Sequence, residues 1–164
     1  MSWKNQLRKD SVPWLLESEN PGVRYLALRE LSPDDKKLKS ARKAAHKEGP
    51  IAEVLSKMDK EGYWVKAGPG YNPKYRSTVW SMILLAQLGA SVTEDKRIEQ
   101  ACNYLLDHMA EGGQFTTSSS GAPSGTVDCL QGNLCWSLME MGFNDPRMDK
   151  AYEWMARTVT GEGI

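Results

Sequence analysis

Few residues in this chain have types and spacing suited to chemistry. Asp128 and Cys129 stand side by side at the start of an apolar segment, and His46 and His108 are the two histidines. A carboxylate, a thiolate and an imidazole are donors that hold zinc, where three protein ligands leave a fourth position open for reaction. Neighbours on a helix point about 100° apart, so Asp128 and Cys129 reach one ion only from a helix end, which is where they lie. The competing reading is local: Asp128 helps cap its helix and Cys129 packs as a small apolar residue. With two histidines in the whole chain the local reading carries more weight. No cofactor is expected, zinc at Asp128 and Cys129 being the one candidate.

A second group is aromatic. Trp64, Tyr71, Tyr75, Trp80, Phe115 and Trp136 fall on apolar helical segments and on the loops before them. Ring faces around a cavity suit an apolar or cationic ligand, and the same residues serve equally to pack helices together. Arg76, beside Tyr75, is able to grip a carboxylate or phosphate, or to pair with an acidic side chain of the protein itself. Trp64, Tyr71, Tyr75, Arg76 and Asp128 are therefore the candidate ligand-binding residues. The run Lys36 to Lys47 is basic, but no aromatics are interleaved, and it reads as a solvated helix face rather than a nucleic-acid or membrane contact. No Gly-rich phosphate loop, nucleophile elbow or metalloprotease motif is present, so these residues name no reaction.

The elements that must position them are helical. A chain of 164 residues with 40% hydrophobic and 26% charged side chains has the composition of an ordinary folded domain. Positive and negative side chains balance at 21 each, but unevenly: the net charge is +4 over residues 1–50, +2 over 51–97 and −6 over 98–164. Such asymmetry suits head-to-tail attraction between copies, or a chance distribution on a solvated surface. Cys102, Cys129 and Cys135 have no C-x-x-C spacing and are expected as free thiols in a reducing, cytoplasmic setting. The start, Met1-Ser2-Trp3-Lys4, lacks a signal-peptide core, and the apolar stretch Val79 to Ala86 is too short to span a bilayer.

Caps predict the helices. Ser11 with Pro13, Asn20-Pro21 and Ser32-Pro33-Asp34-Asp35 open three short ones, the second with a buried stripe of Val23, Leu26, Ala27 and Leu31. Gly49-Pro50 starts a helix through Met58. Asn72-Pro73 opens one from Lys74 to Leu88, apolar nearly all round and hence central, closed by Gly89. Ser91-x-x-Glu94 reads as a capping box for the next, Thr126 to Met141 is another, and Asn144-Asp145-Pro146 opens the last. No segment alternates like a strand, so the class expected is all-α.

These helices repeat about every fifty residues. Leu88-Gly89-Ala90 with Asp95-Lys96-Arg97-Ile98 matches Met141-Gly142-Phe143 with Asp145-Pro146-Arg147-Met148, and Thr78-Val79 matches Thr126-Val127. Gly62-Tyr63-Trp64 returns as Gly113-Gln114-Phe115. A third copy begins at Gly163-Ile164. Each pair buries its face on the next, so an incomplete array implies a continuing chain, a partner or self-association, with Tyr152, Trp154 and Met155 as the uncovered residues.

The helix-pair period, Gly62-Tyr63-Trp64 and the long loops, over Ile51 to Ile164, resemble the α/α-toroid repeat of squalene–hopene cyclases and protein prenyltransferase β-subunits. The resemblance implies an arc of inner and outer helices around an apolar cavity that accepts a hydrophobic, isoprenoid-type molecule, with residues 1–50 as a helical cap. It does not extend to the family's chemistry. The Asp-x-Asp-Asp acid motif is missing, Pro33-Asp34-Asp35 lacking its first carboxylate, and Asp128-Cys129 are adjacent where prenyltransferases space the pair by one residue. The alternative is a protein-interaction scaffold of stacked helices.

Overall fold

Helix starts follow proline and aspartate. The computed structural model describes residues 8–31, 34–120 and 122–160. Its helices are α1 (Val12–Leu15), α2 (Pro21–Glu30), α3 (Asp35–Lys47), α4 (Pro50–Ser56), α5 (Thr78–Gln87), α6 (Lys96–Asp107), α7 (Asp128–Glu140) and α8 (Arg147–Thr160). Among the described residues there is no strand, only an isolated bridge between Thr116 and Thr126. Pro21 sits in the first turn of α2, where its missing N–H is no loss. Asp34, Asp95 and Asp145 accept from the backbone N–H groups of Lys37, Arg97 and Arg147 at 3.1, 2.9 and 2.8 Å, satisfying first-turn donors of α3, α6 and α8.

Several starts differ from those predicted. α5 begins at Thr78 rather than Lys74, because Tyr75 adopts φ 64° and interrupts the helical path. Ser91 to Glu94 form a turn of their own, closed by Glu94 N–H on the Ser91 carbonyl at 3.1 Å, so Asp95 caps α6 and no capping box forms. α7 starts at Asp128, since Thr126 is held in the bridge. Ser32 and Pro33 lie outside the described residues.

The chain divides into two compact units, Met1–Glu53 and Val54–Ile164. In the first, α2 packs on α3. The buried residues of α2 are Tyr25, Ala27 and Leu28, whereas Val23 and Leu31 are exposed. The buried face is rotated from the expected stripe because it takes in the Tyr25 ring, which offers more area and lies 5.9 Å below the guanidinium groups of both Arg29 and Arg42.

The second unit is a helical repeat. α5 packs against α6 and α7, and α7 against α8. Gly89 and Gly142 close α5 and α7 in the same way, at φ 77° and 76°. Their N–H groups donate to Ala86 and Met139, and the following N–H groups donate to Leu85 and Leu138, at 2.9–3.0 Å. Val92 N–H donates to the Met141 carbonyl at 3.0 Å, joining the C-terminal ends of α5 and α7. A β-carbon on Gly68 would contact Ser119 Oγ at 3.6 Å, so the loops preceding both helices also meet. α5 and α7 therefore run parallel, with α6 returning between them.

Arginine staples tie the outer helices. Arg97 donates to the Leu55 carbonyl at the end of α4 at 3.3 Å. Arg147 donates to Asp107 of α6 at 2.5 Å and to Asn103. Arg97 thus ties the start of α6 to Leu55, and Arg147 ties the start of α8 to α6.

Gly89→Val and Gly142→Val are each expected to cost about 1–3 kcal/mol, the scale of strain at a left-handed position. Gly113→Ala should also lower the melting temperature, since its β-carbon would lie 2.5 Å from that of Lys150, whereas Gly132→Ala, with nothing within 4 Å, should not. Thermal melts of the four variants check this. Arg147, hydrogen-bonded to Asp145, holds that carboxyl down at about 2. A depressed folded-state pKa contributes stability above the ordinary carboxylate range that is lost as pH falls towards that value. Arg147→Gln should lower the melting temperature at neutral pH, and the difference from the parent should shrink on acidification.

Candidate aromatic cavity

The loop from residue 59 to 77 is fastened before it reaches α5. Gly62, at φ 97°, closes a turn in which its N–H donates to Asp59 O at 3.0 Å and Asp59 N–H donates to Tyr63 O at 2.8 Å. Trp64 is buried; its indole N–H donates to the Val54 carbonyl at 2.8 Å and its backbone N–H to Thr78 Oγ1 at 3.1 Å. The second unit repeats the device with other side chains. Gly113 closes the same turn, and Phe115 exchanges hydrogen bonds of 2.8 Å in both directions with the buried Gln131 amide. Thr78 is thus the counterpart of Gln131, separated from it by the same offset as Gly89 from Gly142. This replaces the pairing of Thr78-Val79 with Thr126-Val127, which a two-residue identity suggested but no shared contact supports.

Past Trp64 the loop carries a ladder of rings. Trp80 on α5 donates its indole N–H to the Tyr71 carbonyl at 2.8 Å. The Tyr71 and Tyr75 rings lie 5.5 and 4.9 Å from the Trp80 ring, and the Lys74 ammonium stands 5.6 Å from the Tyr71 centroid. Gly70, at φ 75°, lets the chain pass so close to α5 that a β-carbon would sit 2.6 Å from that of Thr78.

A cavity of about 610 Å³ opens beside this ladder, lined by Val54, Lys57, Trp64, Val65, Tyr75, Arg76, Trp80, Ser81 and Leu84. Three properties set it apart. Val65 and Tyr75 are the non-glycine residues at positive φ among those described, at 68° and 64°, and both line it. For a β-branched valine that conformation is a genuine outlier, costing about 1–3 kcal/mol. Large apolar side chains stay in contact with solvent there, Tyr75 at 78%, Val65 at 59% and Leu84 at 43% exposure. Its charged lining is Lys57 and Arg76 with no acid, and neither cation belongs to an ion pair among the described residues.

Of the residues singled out from sequence, Trp64, Tyr75 and Arg76 line this cavity and Tyr71 joins it through Trp80. Asp128 and Cys129 do not line it. They are the exposed first residues of α7; Val127, not Asp128, is its N-cap, and Cys129 does not pack inward. Asp128 still lies favourably at the positive end of the helix. No group of three His, Cys, Asp or Glu side chains suited to a metal occurs among the described residues, so Asp128 and Cys129 have no third ligand among them. Each histidine is engaged on its own helix: His46 Nδ1 lies 2.8 Å from the Arg42 carbonyl and His108 Nδ1 2.8 Å from that of Tyr104, on whose ring it stacks. Lys57, Val65 and Leu84 were not among the candidates. Leu84 was legible as part of an apolar helix, but nothing in a lysine or a β-branched residue announces a cavity or a left-handed backbone.

The thiols offer little. Burial pushes Cys135 up to about 11 and raises Cys102 as well, so neither is a ready thiolate at neutral pH. Cys129 is exposed. The folded chain should therefore present one fast thiol to an aromatic disulfide reagent, and Cys129→Ser should remove it. Two or three fast thiols would mean that the core around α6 and α7 is open.

No family model matches the chain, and no curated protein or solved structure matches it. No helix among the described residues is long and apolar enough to cross a membrane.

Proposed function

We propose that this chain is a prenyltransferase- and squalene-cyclase-like helical-repeat module that binds an apolar, isoprenoid-type ligand in the cavity beside α5, with no reaction assigned. One observation carries the reading: the two strained residues Val65 and Tyr75 both spend their strain on exposing an apolar side chain at the same cavity. Strain of this kind persists where the surroundings over-determine it, and it gathers at ligand clamps. Burial gives no alternative reason for it here: the Tyr75 ring meets that of Trp80 but stays 78% exposed, and Val65 is 59% exposed. The volume falls within the range of about 300–1,000 Å³ typical of small-molecule sites, and Lys57 and Arg76 supply the few polar groups such sites use for orientation. The family resemblance in the repeat supports the same choice of ligand class. The second reading, a protein-interaction scaffold, draws on a different place: Trp136 and Met139 on α7 are 47% and 60% exposed.

Val65→Gly separates the two. It relieves the strain, so the melting temperature should hold or rise, while removal of an apolar wall should weaken binding of farnesol. Trp80→Ala should weaken that binding by about tenfold or more, from the loss of a large apolar surface. Calorimetric titration of farnesol into the folded chain and both variants is the measurement. Absence of saturable binding, or equal binding by all three, sinks the proposal.

A further inference from the structure

The repeat register lets the same position be compared on two inner helices, and the comparison exposes two complementary open faces. Val79 and Ala86 on α5 are buried, while their counterparts on α7, Gly132 and Met139, are exposed. Leu84 on α5 is exposed, while its counterpart Ser137 is fully buried. α5 and α7 pack on each other, so one face of α5 covers the opposite face of α7. What remains uncovered is the Leu84 face of α5 and the Met139 face of α7. These are the two sides of the contact that the chain already makes once.

We infer that a second copy of this chain docks head to tail, the α7 face of one copy seating on the Leu84 face of α5 in the next, as α5 seats on α7 within each chain. The inference rests on reading the cavity beside α5 as a binding site and deepens it, because the docked copy supplies the wall that this cavity lacks. Two features fit a second copy as the occupant. The first is volume. The docking α7 presents Trp136 and Met139 where α5 presents Ile83 and Ala86, larger side chains to wall the open side of the cavity of about 610 Å³ on the receiving face. The second is charge. Lys57 and Arg76 line the receiving face with no acid, and residues 98–164 carry a net charge of −6 against +2 over 51–97. Because α5 and α7 run parallel in the chain, the same packing brings the exposed Asp128, at the start of the docking α7, next to Arg76, just before α5. Opposite potentials on the two faces steer and register such an encounter. The contact is heterologous, so each copy keeps one donor face and one acceptor face.

Sedimentation velocity on the full chain, from low to high micromolar, reads the outcome. Association should rise with concentration and weaken with added salt. Trp136→Glu destroys the donor face and Leu84→Glu the acceptor face; both positions are exposed, and circular dichroism melts of these variants and of Trp136→Ala and Leu84→Ala check folding. Each Glu variant alone should associate at least about tenfold more weakly, the loss expected for a central contact. An equimolar mixture of the two should recover a dimer and nothing larger, since one intact face remains on each. A parent chain that stays monomeric overturns the inference. So does a Leu84→Glu variant that still dimerises, which would mean that two α7 faces meet each other. Farnesol titration on the parent chain, alongside its sedimentation, keeps the two proposals apart: saturable binding without association leaves the cavity reading standing and sinks docking, and association with the predicted mixing pattern but no binding does the reverse.

Discussion

The packing of α5 on α7 is the contact on which the second unit depends. Each of these inner helices is apolar around most of its circumference, so each needs cover on several sides. The outer helices supply one side: α6 presents Ile98, Ala101, Cys102 and Leu105 inward, and α8 presents Met148 and Ala151. The other side is the neighbouring inner helix, and only one such contact is made. Everything distinctive about the molecule's surface follows. Where α5 has a neighbour, Val79 and Ala86 disappear from solvent; where it has none, Leu84 borders a cavity. Where α7 has none, Trp136 and Met139 lie open. The residues expected to lie uncovered on the last helix, Tyr152, Trp154 and Met155, are instead half-buried, because α8 lies against α7 and the missing cover is that of an inner helix.

That contact is held in register by polar groups at both ends of the helices. At one end the glycine turns hand Val92 N–H to the Met141 carbonyl. At the other, Thr78 and Gln131 each take the N–H of a loop aromatic and hold a bulky ring under the helix start. A buried amide or hydroxyl with both partners in place costs little, whereas the same group orphaned would be expensive. Thr78 therefore serves fold and site together, since the loop it anchors is the one that carries Val65 and Tyr75, while Gln131 anchors the corresponding loop before α7.

The cavity combines groups of opposite tendency. Trp64, Ser81 and the indole N–H of Trp80 are settled by burial or hydrogen bonding, so they form a rigid floor. Tyr75, Val65, Lys57 and Arg76 are exposed at the rim, two of them against backbone preference. A stiff apolar floor with a strained, cationic rim fits the proposed capture of an apolar molecule at a defined orientation.

Local chemistry wrote much of this into the sequence. Asp145 before its arginine, Pro21 at a helix start, and Gly89 and Gly142 at helix ends act within a few residues of themselves, and their structural roles were legible from spacing alone, whereas Asp95 caps α6 in place of the expected Ser91. So was the helical repeat, and with it the gathering of Trp64, Tyr71, Tyr75 and Arg76 near one helix start. Tertiary structure decided the rest. The correspondence of Thr78 with Gln131 is defined by hydrogen bonds to residues fourteen and sixteen positions away, and the two side chains share no chemistry that spacing could match. The left-handed turn at Tyr75 moved the start of α5, and that at Val65 contradicts the residue's own preference. The separation of Asp128 and Cys129 from the aromatic cavity depends on which side of each inner helix has a neighbour. Sequence periodicity shows that an apolar face exists; only the assembled stack determines whether another helix covers it.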